Sequence, residues 1–359
     1  MKEWKKYKLG EILTVKYGKD HKKLDAGSIP VYGSGGLMRF VNSYICDSPS
    51  ILIPRKGSLN NVMYVEHPFW TVDTMFWTII DTTIAVPRFV YYAICKIDFE
   101  SLNVGSAVPS MTVPIIEDIE IFLPSLDEQK RIVKVLSSLE SKIELNRQIN
   151  DNLEQQAQAL YKSWFVDFEP FKDQEFVESE FGLIPEGWHC TTLSELLSIK
   201  YGKDHKKLAE GIVPVYGSGG LMRYVDTKLH DGEAVLIPRK GSLNNVMYVN
   251  EAFWTVDTMF YSIPKQEHSC IYAYLFLANK DLASMNAGSA VPSMTTDILN
   301  NMHIIAPHAE VLKRFNNICD VYFSRINQNN IENANLSKQR DTLLPKLMSG
   351  EVKINEIDC

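Results

Sequence analysis

From Asp127 to Val166 the chain contains no Gly and no Pro, and its core-type positions recur at alternating steps of four and three. They are Ile132, Leu136, Leu139, Ile143, Asn146, Asn150, Leu153, Ala157, Leu160 and Trp164. A seam of this period, held for more than four heptads, predicts a coiled-coil helix rather than an ordinary surface helix. Adding 183 to each number gives a second seam in the same phase, Phe315, Cys319, Tyr322, Ile326, Asn329, Asn333, Leu336, Arg340, Leu343 and Leu347. It is weaker, because Arg340 is charged. Each seam carries two asparagines, Asn146 and Asn150 or Asn329 and Asn333. A core amide costs stability and needs a polar group opposite, so these residues act as register devices.

Two such helices in one chain can pair parallel or antiparallel, and both match Asn with Asn. The stretch Phe168–Gly187 is only twenty residues long and leads into another whole domain. A connection that short favours the antiparallel pair, with Asn146 opposite Asn333, Asn150 opposite Asn329 and a pseudo-twofold axis near Gln148 and Ile331. The globular domains are then expected at opposite ends of a rod. The alternative is two separately packed amphipathic helices.

Outside the seams the period changes. Leu9, Ile12 and Leu13 have helical spacing. Ser50–Pro54 is short and apolar and reads as a strand, as do the β-branched and aromatic stretches Asn61–Val65 and Phe69–Ile80. Pro87–Cys95 and Ser269–Leu282 read as buried helices. VYGSGG (Val31–Gly36) reads as a tight Gly-rich loop and Gly105–Thr112 as a Gly/Ser/Pro loop.

Most of this is written twice. YGKDHKKL (Tyr17–Leu24), VYGSGGLM (Val31–Met38), IPRKGSLNNVMYV (Ile53–Val65) and FWTVDTMF (Phe69–Phe76) recur 184 residues later, and GSAVPSMT (Gly105–Thr112) recurs 183 later. The predicted fold class is α+β: two similar strand-rich globular domains, separated by two long helices forming an antiparallel coiled coil, with an internal pseudo-twofold repeat. The expected boundaries are a first domain over 1–124, a first long helix over 125–168 and a connector over 169–187. A second domain over 188–307, a second long helix over 308–349 and a tail over 350–359 complete the chain.

A length of 359 residues suits more than one domain. No apolar run approaches the roughly 18 residues of a membrane span, and the N-terminus lacks the apolar core of a secretory signal, so the expected location is the cytoplasm. Six cysteines form no CxxC pair, and none occupies the repeat-equivalent position of another. They read as scattered reduced thiols, without a metal site or disulfide.

The net charge of −7 conceals a sorting. Between Glu117 and Glu180 fifteen acids face seven bases, whereas Lys16–Asn61 holds seven bases against three acids. The repeated block is basic, and the segment between the blocks is acidic.

The two globular repeats, each followed by a long helix, carry in order KLGEIL (Lys8–Leu13), the PVYGSGG loops, LPSLDEQKRIV (Leu123–Val133), LYKSWFVDF (Leu160–Phe168), GLIPEGW (Gly182–Trp188) and LLPKLMSGEV (Leu343–Val352). In these stretches and their order the chain resembles the specificity (S) subunit of Type I restriction-modification systems. It covers essentially the whole chain. The resemblance implies a non-catalytic DNA-reading adaptor with two target-recognition domains, each reading half of a bipartite site on double-stranded DNA. It implies as partners two methyltransferase subunits, and restriction subunits in the full complex. No cofactor is expected on this chain; S-adenosylmethionine is expected on the methyltransferase, which methylates adenine.

The residues accommodate that reading. Lys19, Lys22, Lys23, Arg39, Arg55 and Lys56 can neutralise phosphates. Candidates for base edges are His21, Arg39, Arg55, Ser58, Asn60 and Asn61, by the Arg-to-guanine and Asn-to-adenine pairings of the major groove. Ser34 joins them at the loop tip. The second copy repeats the set as Lys203, His205, Lys206, Lys207, Ser218, Arg223, Arg239, Lys240, Ser242, Asn244 and Asn245. The structural alternative makes Asn60-Asn61 a turn and Arg55-Lys56 a solvated loop. The helix from Ile132 to Trp164 would span roughly 48 Å, against about 34 Å for one turn of B-DNA. The acidic middle should repel DNA and is assigned to protein partners.

S subunits commonly carry two dissimilar recognition domains. Here the two are nearly identical in the loops best suited to read bases, which points to an interrupted palindrome as the site.

Competing readings are weaker. Asp20-His21-Lys22 has the D-x-K form of a nuclease metal site, with Glu11 upstream, but matches this short arise by chance. No cofactor-binding GxGxxG, phosphate-binding GxxxxGK[ST] or Asn/Asp-Pro-Pro-aromatic motif is present. A coiled-coil assembly protein that binds no DNA is the other alternative. Salt-dependent duplex binding separates it from a DNA reader.

Overall fold

The computed structural model describes residues 4–286 and 292–352. The start of the loop at Gly288–Thr295 and most of the tail expected over 350–359 fall outside the described residues. The chain divides into two compact units. One holds the residues up to Glu144 together with those from Glu332 onward, and the other holds Leu145–Ile331.

The first unit opens with β1 (Lys5–Lys8), the single turn α1 (Leu9–Ile12) and β2 (Leu13–Tyr17). Leu9 and Ile12 are the apolar pair of α1, and both are buried. β3 (Ile29–Gly33), β4 (Gly36–Val41), β5 (Ser50–Pro54), β6 (Met63–Val65), β7 (Trp70–Thr71) and β8 (Met75–Ile80) follow. They form a four-stranded sheet in the order β2-β8-β5-β6 and a three-stranded sheet in the order β4-β3-β7. α2 (Pro87–Ile94), α3 (Val113–Glu117) and β9 (Glu120–Leu123) close the domain, with β9 antiparallel to β1.

Three expectations change here. VYGSGG is not a loop: Val31–Gly33 lies in β3, Gly36–Met38 in β4, and only Ser34 and Gly35 form the turn. Gly36 supplies the positive φ, +111°, that so short a hairpin needs. Phe69–Ile80 is two strands, because the chain turns at Val72–Thr74, where the Met75 amide donates to the Val72 carbonyl at 3.0 Å. Of Asn61–Val65, only Met63–Val65 pairs with a neighbour.

α4 (Leu126–Phe165) is a single helix of 40 residues. The connector expected over 169–187 carries structure of its own: β10 (Phe176–Ser179) and β11 (Gly182–Pro185) form a hairpin, and Phe171, Ile184 and, just past it, Trp188 enter the core of the second unit. The second domain then repeats the first through β12 (His189–Thr192), α5 (Leu193–Leu196), β13 (Leu197–Tyr201), β14 (Val213–Gly217), β15 (Gly220–Val225), β16 (His230–Pro238), β17 (Met247–Thr255) and β18 (Met259–Pro264). It ends with α6 (Cys270–Ala278), α7 (Thr296–Asn300) and β19 (His303–Ala306), which pairs with β12, before α8 (Ala309–Met348). α6 is apolar on all sides and almost wholly buried, as its run CIYAYLFLA requires.

Here the strands form one six-stranded sheet, β13-β18-β16-β17-β14-β15. The first copy has the same pairings but is cut in two. Its β6 and β7 correspond to the continuous β17, and Pro68 stands where β17 has Ala252. Pro49 similarly stands where β16 has Glu233. A proline gives no amide to a ladder, so each one breaks a strand that its counterpart completes.

The heptad seams are buried or half-buried at all twenty positions. In the first unit Ile132 and Leu136 share a core with Leu347, and Lys142 pairs with Glu332 at 3.4 Å. In the second, the rings of Trp164 and Phe315 lie 5.8 Å apart, and the Asn329 amide donates to Asn150 Oδ1 at 2.7 Å. In both units, numbers rise along α4 as they fall along α8, so the helices pair antiparallel, and Asn150 faces Asn329 as the seam predicts. The Asn150 amide goes on to Asn330 Oδ1 at 2.9 Å. The couples Ile132/Leu347 and Phe315/Trp164 are repeat-equivalents of one another, with the helices exchanged.

Carboxylates on α4 also tie it to both domains. Glu140 accepts from Arg88 at 3.1 Å and from the Tyr92 hydroxyl at 2.6 Å, and Glu154 accepts from the Tyr274 hydroxyl. Burial first, and then these hydrogen bonds, push both phenols well above their ordinary pKa. Among the described residues no helix is long and apolar enough to cross a membrane.

Candidate nucleic-acid interface

Four repeated stretches converge in each domain. In the first, the Gly18 amide donates to the Met75 carbonyl at 3.0 Å and the Lys19 amide to Thr71 at 2.8 Å. Trp70 returns its indole N–H to the Lys19 carbonyl at 2.9 Å. Gly18 is required at this crossing, since a Cβ would stand 2.0 Å from the Val72 carbonyl oxygen. The amides of Arg55 and Lys56 both donate to the Thr74 carbonyl, at 2.8 and 3.2 Å. Asn61 Nδ2 donates to the Ser34 carbonyl at 2.8 Å, which ties the hairpin tip to the Arg55–Asn61 loop. Leu59, fully buried, anchors that loop from below.

The Gly105–Thr112 loop joins the cluster. Met111 donates its amide to the Arg55 carbonyl at 2.9 Å, and Gly57 donates to Pro109 at 3.0 Å. Asn103 Oδ1 holds the loop by accepting from the Gly105 and Ser110 amides, each at 2.8 Å.

The second copy reproduces the geometry. Lys203 to Thr255 is 2.8 Å, Arg239 to Thr258 is 2.8 Å and Met294 to Arg239 is 2.8 Å. Asn245 to the Ser218 carbonyl is 2.9 Å, and Trp254 to the Lys203 carbonyl is 2.9 Å. In both copies an arginine lies over a tyrosine ring: Arg55 over Tyr17 at 5.8 Å and Arg239 over Tyr201 at 5.5 Å.

This geometry sorts the candidate residues. Lys19, Lys22, Lys23, Lys56, Ser58 and Asn60 are exposed, as are Lys203, Lys206, Lys207, Lys240, Ser242 and Asn244. His21, Ser34, Arg39, Arg55 and Asn61 are half-buried, as are His205, Ser218, Arg223, Arg239 and Asn245. Several side chains already have structural partners. Arg39 donates to the Leu24 carbonyl at 2.6 Å. Arg223 donates to the carbonyls of His205 and Leu208 at 2.5 and 3.1 Å, and to His205 Nδ1 at 3.2 Å. Asn60 and Asn244 donate to Asp98 and Asp281, each at 3.1 Å. These residues brace the loops, whereas the exposed lysines and Ser58 and Ser242 extend from them.

Asp20 accepts the Lys22 amide at 3.0 Å, and Asp204 accepts the Lys206 amide at 3.1 Å. That hydrogen bond, with the neighbouring lysine charge, holds both carboxyls below the usual aspartate range. The D-x-K triplet is therefore an Asx turn that shapes the lysine loop. Among the described residues no group of three His, Cys, Asp or Glu is placed to hold a metal ion.

The polar candidates legible in the sequence leave out an apolar set. Tyr17, Leu37, Met38 and Phe40 stand exposed around the cluster, and Tyr201, Leu221, Met222 and Tyr224 do so in the second copy. The signal was present in the repeated LM of VYGSGGLM, since a hairpin strand with solvent on one side should alternate and this one does not.

Two equivalent basic loop clusters, each on a strand-built domain and each unit closed by an antiparallel helix pair, define a duplicated recognition scaffold. The chain belongs to the Type I restriction modification DNA specificity domain family, whose pattern it matches over residues 1–155 and 185–336. It is 26% identical over 341 residues to the Type I restriction enzyme MjaIX specificity subunit of Methanocaldococcus jannaschii, covering 86% of this chain and 78% of that one. With the HindI specificity subunit of Haemophilus influenzae it shares 27% identity over 329 residues, 68% of this chain and 71% of the relative. The crystal structure of an S subunit of a Type I restriction-modification system from M. genitalium superposes with a TM-score of 0.67 at 18% identity, covering 96% of each chain, a likeness of fold.

Proposed function

We propose that this chain is the DNA-reading specificity subunit of a Type I restriction-modification complex, and that its two domains read the same half-sequence on opposite strands. The site is then an interrupted palindrome. The observation that carries this is the match of the two loop clusters in residues and in most of their hydrogen bonds, down to the Asn61/Ser34 and Asn245/Ser218 ties. Readers built from the same groups in the same positions prefer the same bases. The exposed lysines supply sequence-independent phosphate contacts, and the residues nearer the cluster centre supply discrimination.

In this reading the chain works as an adaptor in the cytoplasm. Methyltransferase subunits, two by the symmetry of the repeat, dock on the long helices, with the acidic excess of 117–180 lying in the stretches that flank α4. They hold the S-adenosylmethionine and methylate adenine, and restriction subunits join the full complex. The chemistry belongs to the partners; this chain selects where it happens.

The test is to map modified adenines in cells that express this chain with its methyltransferase. The expected motif is a half-site followed, after a fixed gap, by its reverse complement. Two unrelated half-sites would refute the proposal.

A further inference from the structure

The hairpin of β3 and β4, and its counterpart β14 and β15, present a feature that phosphate contacts leave unexplained. Leu37, Met38 and Phe40 are 54%, 55% and 50% exposed on an edge strand, and Leu221, Met222 and Tyr224 are 51%, 56% and 43% exposed on the other. An uncovered apolar edge strand is a liability that proteins blunt with charge or proline unless something covers it. Here it is present twice, with the same leucine and methionine.

Met38 is also held in place. A Cβ on Gly33 would stand 2.6 Å from the Met38 sulfur, and the figure is the same for Gly217 and Met222. The bare glycine is the seat on which the thioether lies. Met38 lines a groove with His21, Lys22, Ser34 and Asp73, within the cluster proposed to meet DNA. The one long polar side chain on the strand, Arg39, is occupied by the Leu24 carbonyl. What this strand offers a partner is therefore apolar contact.

Resting on the DNA-reading role above, we propose that Leu37 and Met38, with Leu221 and Met222, contact thymine methyl groups in the major groove and so fix A·T pairs in each half-site. DNA is the occupant that the charge favours, because exposed Lys22 lines the same groove as Met38 and exposed Lys19 is bonded through its amide to Thr71, which pairs with β3. The major groove accepts a two-stranded ribbon, and the thymine methyl is its apolar feature. Methionine, unbranched and polarizable, adapts to such a surface.

The experiment uses the complex of this chain with its methyltransferase subunits and a duplex carrying the mapped site. Each thymine of a half-site is replaced in turn by deoxyuridine, which removes only the methyl group. The expected result is about a fourfold loss of affinity at one or more positions per half-site, the factor corresponding to about 0.8 kcal/mol per buried methyl. The variant Met38→Ala with Met222→Ala should lose the part of that discrimination that the methionines supply.

If every deoxyuridine duplex binds like its thymine parent while the mapped site is still preferred over a scrambled one, the methyl contact is refuted and the DNA-reading role stands. If the complex does not distinguish the mapped site from a scrambled duplex, both proposals fail. Loss of methyltransferase binding by the double variant, with unchanged melting, would assign the strand to a protein partner and overturn the proposal.

Discussion

Gln129 lies in the first turns of α4 and is fully buried. Its Oε1 accepts the Val86 amide at 2.8 Å, and its Nε2 donates to the carbonyls of Pro124 at 3.0 Å and Ile84 at 3.3 Å. Val86 is the residue before the first turn of α2, whose amides have no helical partner of their own. One side chain thus satisfies three backbone groups and stitches the start of the long helix to the first domain. Gln129→Leu keeps the volume and removes all three bonds. Each is worth about 1 kcal/mol net, and a buried donor left without a partner costs about 1–3 kcal/mol, so the expected loss is about 3 kcal/mol. For a unit of this size that lowers the melting midpoint by about 6–12 °C. The repeat-equivalent residue is Leu312, also fully buried, so the second unit fills the same position without polar groups. Leu312→Gln should therefore destabilise as well, by burying an unpartnered amide, about 1–3 kcal/mol. Calorimetry measures the midpoints, and hydrogen exchange over 84–90 reports the Val86 amide. A shift under about 2 °C for Gln129→Leu, with that amide still protected, would refute the reasoning.

Two further outcomes follow from the seam and the loops. Asn329→Ala should cost about 1 kcal/mol by orphaning the Asn150 acceptor, whereas Asn150→Leu with Asn329→Leu should raise the melting midpoint, since a core amide sacrifices stability for register; a double-mutant cycle read by thermal melting gives the coupling. Gly57 and Gly241 have φ of +90° and +86°, and a Cβ on either would stand 2.9 or 2.8 Å from the hydroxyl oxygen of Ser34 or Ser218. Gly57→Ala with Gly241→Ala should cost about 1 kcal/mol per site in stability and weaken binding of the methyltransferase complex to its mapped duplex, which a titration would show.

The helices were legible because their signal is periodic and local. Twenty seam positions at steps of four and three leave little choice of face, and the Asn150–Asn329 opposition follows from the spacing once the direction is chosen. The hairpin was harder. Glycines at 33, 35 and 36 mimic an irregular loop, and the pairing that makes β3 and β4 strands comes partly from β7, some forty residues away in sequence. The split sheet of the first unit could have been read from Pro49 and Pro68. The roles of Arg39, Asn60 and Asn61 could not, because an exposed polar residue in a sequence does not reveal that a nearby carbonyl or carboxylate already occupies it. Gln129 was hidden for the opposite reason: it stands one seam step before Ile132 but among charged residues, where a glutamine reads as the polar end of the seam, and the packed domain shows its amide facing inward.

The contrast between Gln129 and Leu312, and between Pro68 and Ala252, bears on the history of the chain. Surface loops ordinarily diverge faster than the framework beneath them. At the loop cluster the order is reversed: the framework has exchanged a glutamine for a leucine and a broken strand for a whole one, while Tyr17–Leu24 and Tyr201–Leu208 remain letter for letter the same, although Asn42–Pro49, outside the cluster, shares only one residue with Asp226–Glu233. Each domain's stability has been free to find its own solution. The restraint on the loops acts on both copies at once and must come from something outside the polypeptide, a molecule against which both are held to a single shape.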